Sequence, residues 1–182
     1  MAQIDSKEHS VVAIYAQHSD AENAINLLKK GNFNIKKLAI VGKGYHTEDD
    51  VVGYYTTGDR MKHWGKMGAF WGGLWGMLAG SAVFLIPGVG PVLVAGSAVA
   101  WIVGALESAA VVGGLSALGA GLYSKGISKG GVLKYESSIK AGKYLLVAHG
   151  TPEEAEAARR ILASTNAEEV NAHQPDRSAA AA

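Results

Sequence analysis

The stretch SVVAIYAQHSDAENAINLLKKGNFNIKKLAIVG, residues 10–42, contains two apolar segments on either side of one polar segment. Residues 10–16 are rich in β-branched side chains, which is typical of a strand. Ser19 and Glu22 have the spacing of an S-x-x-E capping box, and apolar residues recur at helical spacing after them. Because a second strand signal follows at 35–42, this stretch predicts a β-α-β unit.

The same order of segments returns near the end of the chain. Residues 143–150 (KYLLVAHG) have the composition of a strand. Thr151 and Glu154 then form a second capping-box pattern, with Pro152 at the favoured first position of a helix. A weaker strand signal covers 167–173. Two β-α-β units that share one sheet predict an α+β fold of the ferredoxin-like β-α-β-β-α-β type.

Composition and charge exclude several classes of function. The 182 residues have a formal net charge of +1, and the isoelectric point is about 7.9. This charge gives no reason to expect nucleic acid as a partner. The chain has no cysteine, which excludes disulfides, thiolate zinc sites and thiol nucleophiles. The polar start MAQIDSKEHS predicts no secretory signal peptide.

A long segment between the two halves carries almost no charge. Residues 67–124 hold one ionisable side chain other than tyrosine, that of Glu107. Residues 67–86 form an apolar run that as a helix would be about 30 Å long, the thickness of a bilayer core. The turn PGVGP at 87–91 separates it from a second run at 92–106. Since lysines flank both outer ends, we expect an inserted transmembrane helical hairpin with both termini in the cytoplasm.

Small residues repeat at every fourth position in both runs. On a helix this spacing places them on one face, where they would let another helix approach closely. The second helix is either the other arm of the hairpin or another subunit. The alternative interpretation of the whole segment is a glycine-rich loop or an apolar hairpin buried in a protein core. The predicted helix-packing residues are Gly68, Gly72, Gly76, Gly80, Gly96, Ala100 and Gly104.

Two further features belong to the predicted membrane segment. Glu107 is the candidate functional residue, because a carboxylate inside a bilayer is costly and is usually kept for a function. The alternative places Glu107 at a bend near the lipid headgroups, where water solvates it. A basic and aromatic group precedes the first run and would lie at the membrane interface. It consists of Arg60, Lys62, His63, Trp64 and Lys66.

The chain contains none of the local motifs that identify common catalytic sites, such as H-E-x-x-H, a P-loop or G-x-S-x-G. We therefore predict no enzymatic activity, no catalytic residues, no cofactor and no metal site. His18 and His149 each follow a predicted strand, an arrangement that would suit a metal ion if the two met. The predicted topology puts the ends of these strands at opposite edges of the sheet, so we do not expect a shared site.

These patterns divide the chain into seven segments. They are a flexible N-terminus (1–9), the first half of the ferredoxin-like domain (10–44), a linker (45–63), the membrane hairpin (64–124), a connecting helix (125–142), the second half of the domain (143–173) and a disordered tail (174–182).

The chain resembles the bacterial general stress proteins of the 17M type and the low-temperature-induced membrane proteins. The resemblance covers about residues 10–170. It rests on the first β-α-β unit, on the W-G-x-x-G-A-x-W-G run at 64–72, and on KYESSIKAGKYLLVAHGTPEEAEAARRIL at 134–162. It implies a stress-associated protein of the bacterial inner membrane, and it transfers no catalytic residue to this chain.

The leading hypothesis is a non-enzymatic stress-associated membrane protein that self-associates through its glycine-zipper helices. It would present the ferredoxin-like domain to the cytoplasm. Its expected partners are the lipid bilayer and further copies of the chain, with no identified small ligand. Two alternatives remain: a small-ligand sensor coupled to the hairpin, and an oligomeric pore that uses Glu107.

Overall fold

The computed structural model describes residues 9–43, 81–86, 90–108 and 117–174. These residues contain six strands, five α-helices and one 3-10 turn at Ile35–Lys37. In chain order the strands and helices are β1 (His9–Tyr15), α1 (His18–Lys30), β2 (Leu38–Lys43), β3 (Ser81–Ile86), β4 (Gly90–Gly96), α2 (Ala98–Ser108), α3 (Ala117–Tyr123), α4 (Lys129–Lys140), β5 (Tyr144–Gly150), α5 (Pro152–Ala163) and β6 (Glu169–His173).

All six strands belong to one sheet in the order β3-β4-β2-β5-β1-β6. Every neighbouring pair is antiparallel. The strands of the two predicted β-α-β units lie side by side as β2-β5-β1-β6, which is the strand order of a ferredoxin-like sheet. The hairpin β3–β4 extends the sheet beyond β2. The α+β class is therefore confirmed. The insert, however, adds the strand hairpin β3–β4 to the sheet where a helical hairpin was predicted.

Local sequence signals explain the ends of the helices in part. The Thr151 hydroxyl accepts from the Glu154 amide, the Glu154 carboxylate accepts from the Thr151 amide, and Pro152 opens the helix, so α5 begins with the predicted capping box. The predicted box of Ser19 and Glu22 is wrong. Helix α1 begins two residues earlier than a helix capped by Ser19 would, with Gln17 as its N-cap and no side-chain capping bond.

Each face of the sheet is covered by its own layer of helices. We call one face the α1/α5 face; its sheet residues include Val11, Tyr15 and Leu146, which pack on α1 and α5. We call the other the α2–α4 face; its sheet residues include Val12 and Val147, which pack on α2, α3 and α4. The sheet is therefore buried on both sides, and apolar residues occupy both faces of its central strands.

The predicted transmembrane helical hairpin is wrong for the residues that the structure describes. The end of the first predicted arm, residues 81–86, is strand β3, and residues 67–80 lie outside the described part. The second predicted arm is divided between strand β4 and helix α2. Helix α2 has 11 residues, about 16 Å at the usual rise, which is roughly half of a bilayer core.

The physical reason for this error lies in β4. Val92 and Val94 pack on the α2–α4 face, whereas Ala95 packs on the opposite face. A strand that is buried on both faces has a continuous apolar sequence, which hydropathy alone does not distinguish from a buried helix.

The prediction of an inner-membrane protein is corrected by the same structure. Across 9–43, 81–86, 90–108 and 117–174, none of the helices combines the length and the hydropathy needed to cross a membrane. The expected localisation in the inner membrane, with both termini in the cytoplasm, is therefore not supported.

Candidate functional site

Three polar residues form a row across the strands of the α2–α4 face. Ser10 of β1 pairs with His149 of β5 on one side and with His173 of β6 on the other. Residues that pair directly across antiparallel strands point to the same face of a sheet. Ser10 is fully buried and His149 is 7% exposed, whereas His173 is half-buried. We call this group the His-Ser-His row.

Helix α2 and the loop before α4 cover the His149 end of the row. The Trp101 ring meets the His149 ring edge-on, with centroids 4.8 Å apart. The Lys125 ammonium lies 5.2 Å from the centroid of the Trp101 ring, a cation–π distance. The Ser10 hydroxyl donates to the main-chain carbonyl of Lys125 at 3.2 Å. These contacts fix the α3–α4 loop against the start of β1.

Helix α4 covers the His173 end of the row. The Tyr135 hydroxyl lies 2.6 Å from His173 Nε2, and the Asn171 amide donates to the same hydroxyl at 3.4 Å. Burial raises the pKa of Tyr135, and the bond from Asn171 opposes this rise. Burial also lowers the pKa of His173, and the positive charge of Lys134 lowers it further. Both side chains are therefore neutral at pH 7.

A separate charged group lies at the start of α5. Lys37 Nζ donates to Glu154 Oε2 at 2.6 Å, while the Thr151 amide donates to the same oxygen at 2.8 Å. The bond from Lys37 is the main cause of the lowered pKa of Glu154, and the bond from Thr151 adds to it. The bond from Thr151 belongs to the α5 capping box, and the bond from Lys37 ties the turn before β2 to the same carboxylate, so this group has a structural explanation.

The outer surface of the α2–α4 layer is apolar at several points. Among the described residues, the exposed large apolar side chains are Val103 (45%), Tyr123 (36%) and Leu133 (60%). They lie on α2, α3 and α4 respectively. Ala100 and Gly104 are also exposed on α2, and a Cβ added at Gly104 would find no atom of the described part within 4 Å.

The structure separates the predicted packing residues. Gly96 is not on a helix: it ends β4 with a φ of +82°, and an added Cβ would clash with the Leu38 carbonyl. Ala100 and Gly104 lie on α2, as does the backbone of Glu107. The remaining predicted residues fall outside the described part of the chain; they are Gly68, Gly72, Gly76, Gly80, Arg60, Lys62, His63, Trp64 and Lys66.

His18 and His149 do not meet, but for a different reason from the one predicted. Their strands β1 and β5 are neighbours, not opposite edges of the sheet. The His18 ring contacts Tyr144, at the start of β5, with centroids 6.2 Å apart. His149 lies five residues further along the same strand, about 17 Å away along its axis.

Ser10, Trp101, Tyr135 and His173 were missed by the reasoning from sequence. A weak signal exists, since Ser10 borders an apolar strand run and His173 ends another. The register that joins them was not readable from the sequence. Within the described residues, no group of three or more His, Cys, Asp or Glu is placed to hold a metal ion.

The comparisons with known proteins bear on the N-terminal half of the domain. Residues 10–84 match the family model of the heat-induced stress protein YflT domain. This match begins in β1 and ends in β3, and it spans less than half of the chain. No curated protein and no solved structure matches the chain. The match supports the resemblance to bacterial general stress proteins, and its description contains no membrane component.

Proposed function

We propose that this chain is a non-enzymatic, stress-associated protein that acts by binding further copies of itself through its α2–α4 layer. The stress association follows the family match over residues 10–84. The observation that carries the self-association is the distribution of exposed apolar side chains. Val103, Tyr123 and Leu133 all lie on this one layer. Apolar groups gathered on one side of a molecule are typical of an interaction surface.

The other helix layer offers a contrast. The exposed surface of α5 carries charged residues, among them Glu156 and Arg159, which form an ion pair with each other. Residues 91–106, by contrast, contain no charged side chain. In an interface between two copies the same surface meets itself, so the uncharged stretch 91–106 avoids burying like charges against each other. The charges of this layer lie beside that stretch, at Glu107 and on α4. The small residues Ala100 and Gly104 would let two copies of α2 approach closely.

The proposed absence of catalysis is supported by how Ser10 and Glu154 use their polar groups. A nucleophilic serine must give its proton to a base, whereas Ser10 donates its proton to the Lys125 carbonyl. The Glu154 carboxylate is held by Lys37 and by a main-chain amide. These side chains stabilise the fold, so their arrangement does not require a reaction.

The test places a charge in the proposed interface. Val103→Glu is compared with the native chain and with Ala163→Glu, which adds the same charge at an exposed position of α5. We expect the native chain and Ala163→Glu to oligomerise in light scattering or native mass spectrometry, and Val103→Glu to be monomeric. Circular dichroism confirms that both variants fold. A monomeric native chain, or an unchanged oligomer in Val103→Glu, refutes the proposal.

A second candidate function is the sensing of a small ligand at the His-Ser-His row. It is favoured by the stacked Trp101 and Lys125, which place an aromatic face and a cation beside this row. Thermal-shift measurements with metabolites and nucleotides test it, since a true ligand raises the melting temperature as its concentration rises. No shift in the native chain, or an equal shift in a Trp101→Leu variant, rejects this function.

A further inference from the structure

Strand β6 is an edge strand that polar side chains attach to α4. Among the described strands it pairs with β1 alone. Glu169, Asn171 and His173 alternate along it and so share the face toward α4. Glu169 forms an ion pair with Lys134 of α4. Asn171 donates to Glu169 at 2.8 Å and to the Tyr135 hydroxyl.

Either group can donate the hydrogen bond between Tyr135 and His173, and the neighbouring Asn171 amide favours the tyrosine as the donor. The Tyr135 oxygen accepts from the Asn171 amide, so its own proton is available for His173 Nε2 at 2.6 Å. Nε2 is then the acceptor, and the imidazole is neutral. An imidazolium would donate an N–H to this oxygen, and the tyrosine hydroxyl would then need a new acceptor for its own proton. Tyr135 is 1% exposed, so water cannot readily serve as that acceptor.

The groups around His173 also favour its neutral form. The Lys134 ammonium is on the adjacent face of α4, and its partner Glu169 is already paired with it. Gly131 in the first turn of α4 lies beside the His173 ring. The N-terminus of a helix carries a partial positive charge, which opposes a positive charge on His173 at this position. Across the strands lie the Ser10 hydroxyl and, beyond it, His149.

We propose that β6 is an acid-sensitive edge strand, which protonation of His173 releases from α4. The Tyr135–His173 bond breaks, the imidazolium turns toward solvent, and the end of β6 loses its attachment. Strands β1, β5 and β2 keep their own pairing, because none of their hydrogen bonds depends on His173. If the freed end of β6 also separates from β1, it exposes the outer edge of β1 near Ser10, a row of main-chain donors and acceptors that another strand could pair with.

The direction of the pH effect follows from linkage. The folded chain has a lower His173 pKa than the ordinary value near 6.5. Below pH 6.5 the unfolded or released state therefore binds more protons than the folded state. The stabilisation by this contact is complete above pH 6.5 and is lost as pH falls through the lowered pKa.

Native-state hydrogen exchange of the full chain at pH 7.5 and 5.5, corrected for intrinsic rates, tests the proposal. We expect those β6 amides that hydrogen-bond to β1 to lose protection at pH 5.5, while those of β2 and β5 keep theirs. His173→Gln does not titrate and should remove this pH dependence. His18→Gln, at an exposed position, is the matched control and should behave as the native chain. Tyr135→Phe should lower β6 protection already at pH 7.5.

Two results would overturn the proposal. One is equal pH dependence of β6 protection in the native chain and in His173→Gln. The other needs no variant: an NMR titration of the native chain in which the His173 pKa is at or above its ordinary value. If His173→Gln does not fold, this titration and the Tyr135→Phe variant still decide the question.

Discussion

Gly96 offers a sharp test of the sheet, because its position at the end of a strand and an exposed position on a helix predict opposite effects of the same substitution. Gly96 has a φ of +82° at the end of β4. Alanine in this left-handed region costs about 1–2 kcal/mol. An added Cβ would also clash with the Leu38 carbonyl of β2. Ser97 donates to that carbonyl through its amide at 3.1 Å and through its hydroxyl at 3.2 Å, so the carbonyl cannot move freely.

The matched control is Gly90, at the other end of the same strand. Its φ is +94°, and no atom of the described residues lies within 4 Å of an added Cβ. Gly90→Ala should therefore cost only the backbone term of about 1–2 kcal/mol. Gly96→Ala should cost about 1–3 kcal/mol more, the usual range for overpacking a rigid site.

Urea denaturation of the two variants and the native chain measures this difference. With a slope of about 2 kcal/mol per M, an extra ~2 kcal/mol lowers the midpoint of Gly96→Ala by about 1 M relative to Gly90→Ala. On an exposed helix, Gly→Ala would instead stabilise the chain by about 1 kcal/mol. A Gly96→Ala variant as stable as Gly90→Ala, or more stable than the native chain, would refute the pairing of β4 with β2.

The other predictions concern the starts of α5 and α1 and the Lys37–Glu154 ion pair. Thr151→Ala removes the capping bond to the Glu154 amide and should cost about 1 kcal/mol in urea denaturation. Ser19→Ala should change stability by less than about 0.5 kcal/mol, because Ser19 makes no capping bond in α1; equal losses would contradict the assigned caps. Lys37→Met should raise the pKa of Glu154 toward its ordinary value, while the Glu156 pKa, which is set by Arg159, stays unchanged. A carboxyl pKa that folding lowers stabilises the fold at pH values above the ordinary carboxyl pKa, and this stabilisation is lost as the pH falls. The native chain should therefore lose more stability than Lys37→Met between neutral and acid pH. Carboxyl NMR titration checks the two pKa values, and denaturation at several pH values checks the loss of stability. An unchanged Glu154 pKa in Lys37→Met would rule out Lys37 as the cause of its lowering.

Local signals predicted the two β-α-β units to within a few residues. The segments expected at 10–16 and 143–150 are β1 and β5, and the connecting helix expected within 125–142 is α4. These signals work because a cap or a terminal glycine acts through neighbouring residues alone. The S-x-x-E pattern at Ser19 failed because spacing is a necessary condition for a capping box but does not fix where the helix starts.

The His-Ser-His row could not be predicted, since it depends on contacts between distant parts of the chain. Ser10 is separated from His149 and His173 by well over a hundred residues, and only the strand order and register bring them together. A shift of one residue in either pairing would place a histidine on the other face of the sheet. The sequence alone therefore identifies the histidines but not their common face.

The hydropathy of the insert has a physical explanation that does not involve lipid for the residues described. Hydropathy shows that a segment must be buried, and it does not show what covers it. Apolar residues of α2 and α3, such as Ile102 and Leu122, pack against the sheet, Val94 of β4 included, on the face that α1 and α5 leave open. The sheet in turn presents Val12 and Val147 to them, so each side buries the other. The insert thus supplies the second layer that a two-sided apolar sheet requires.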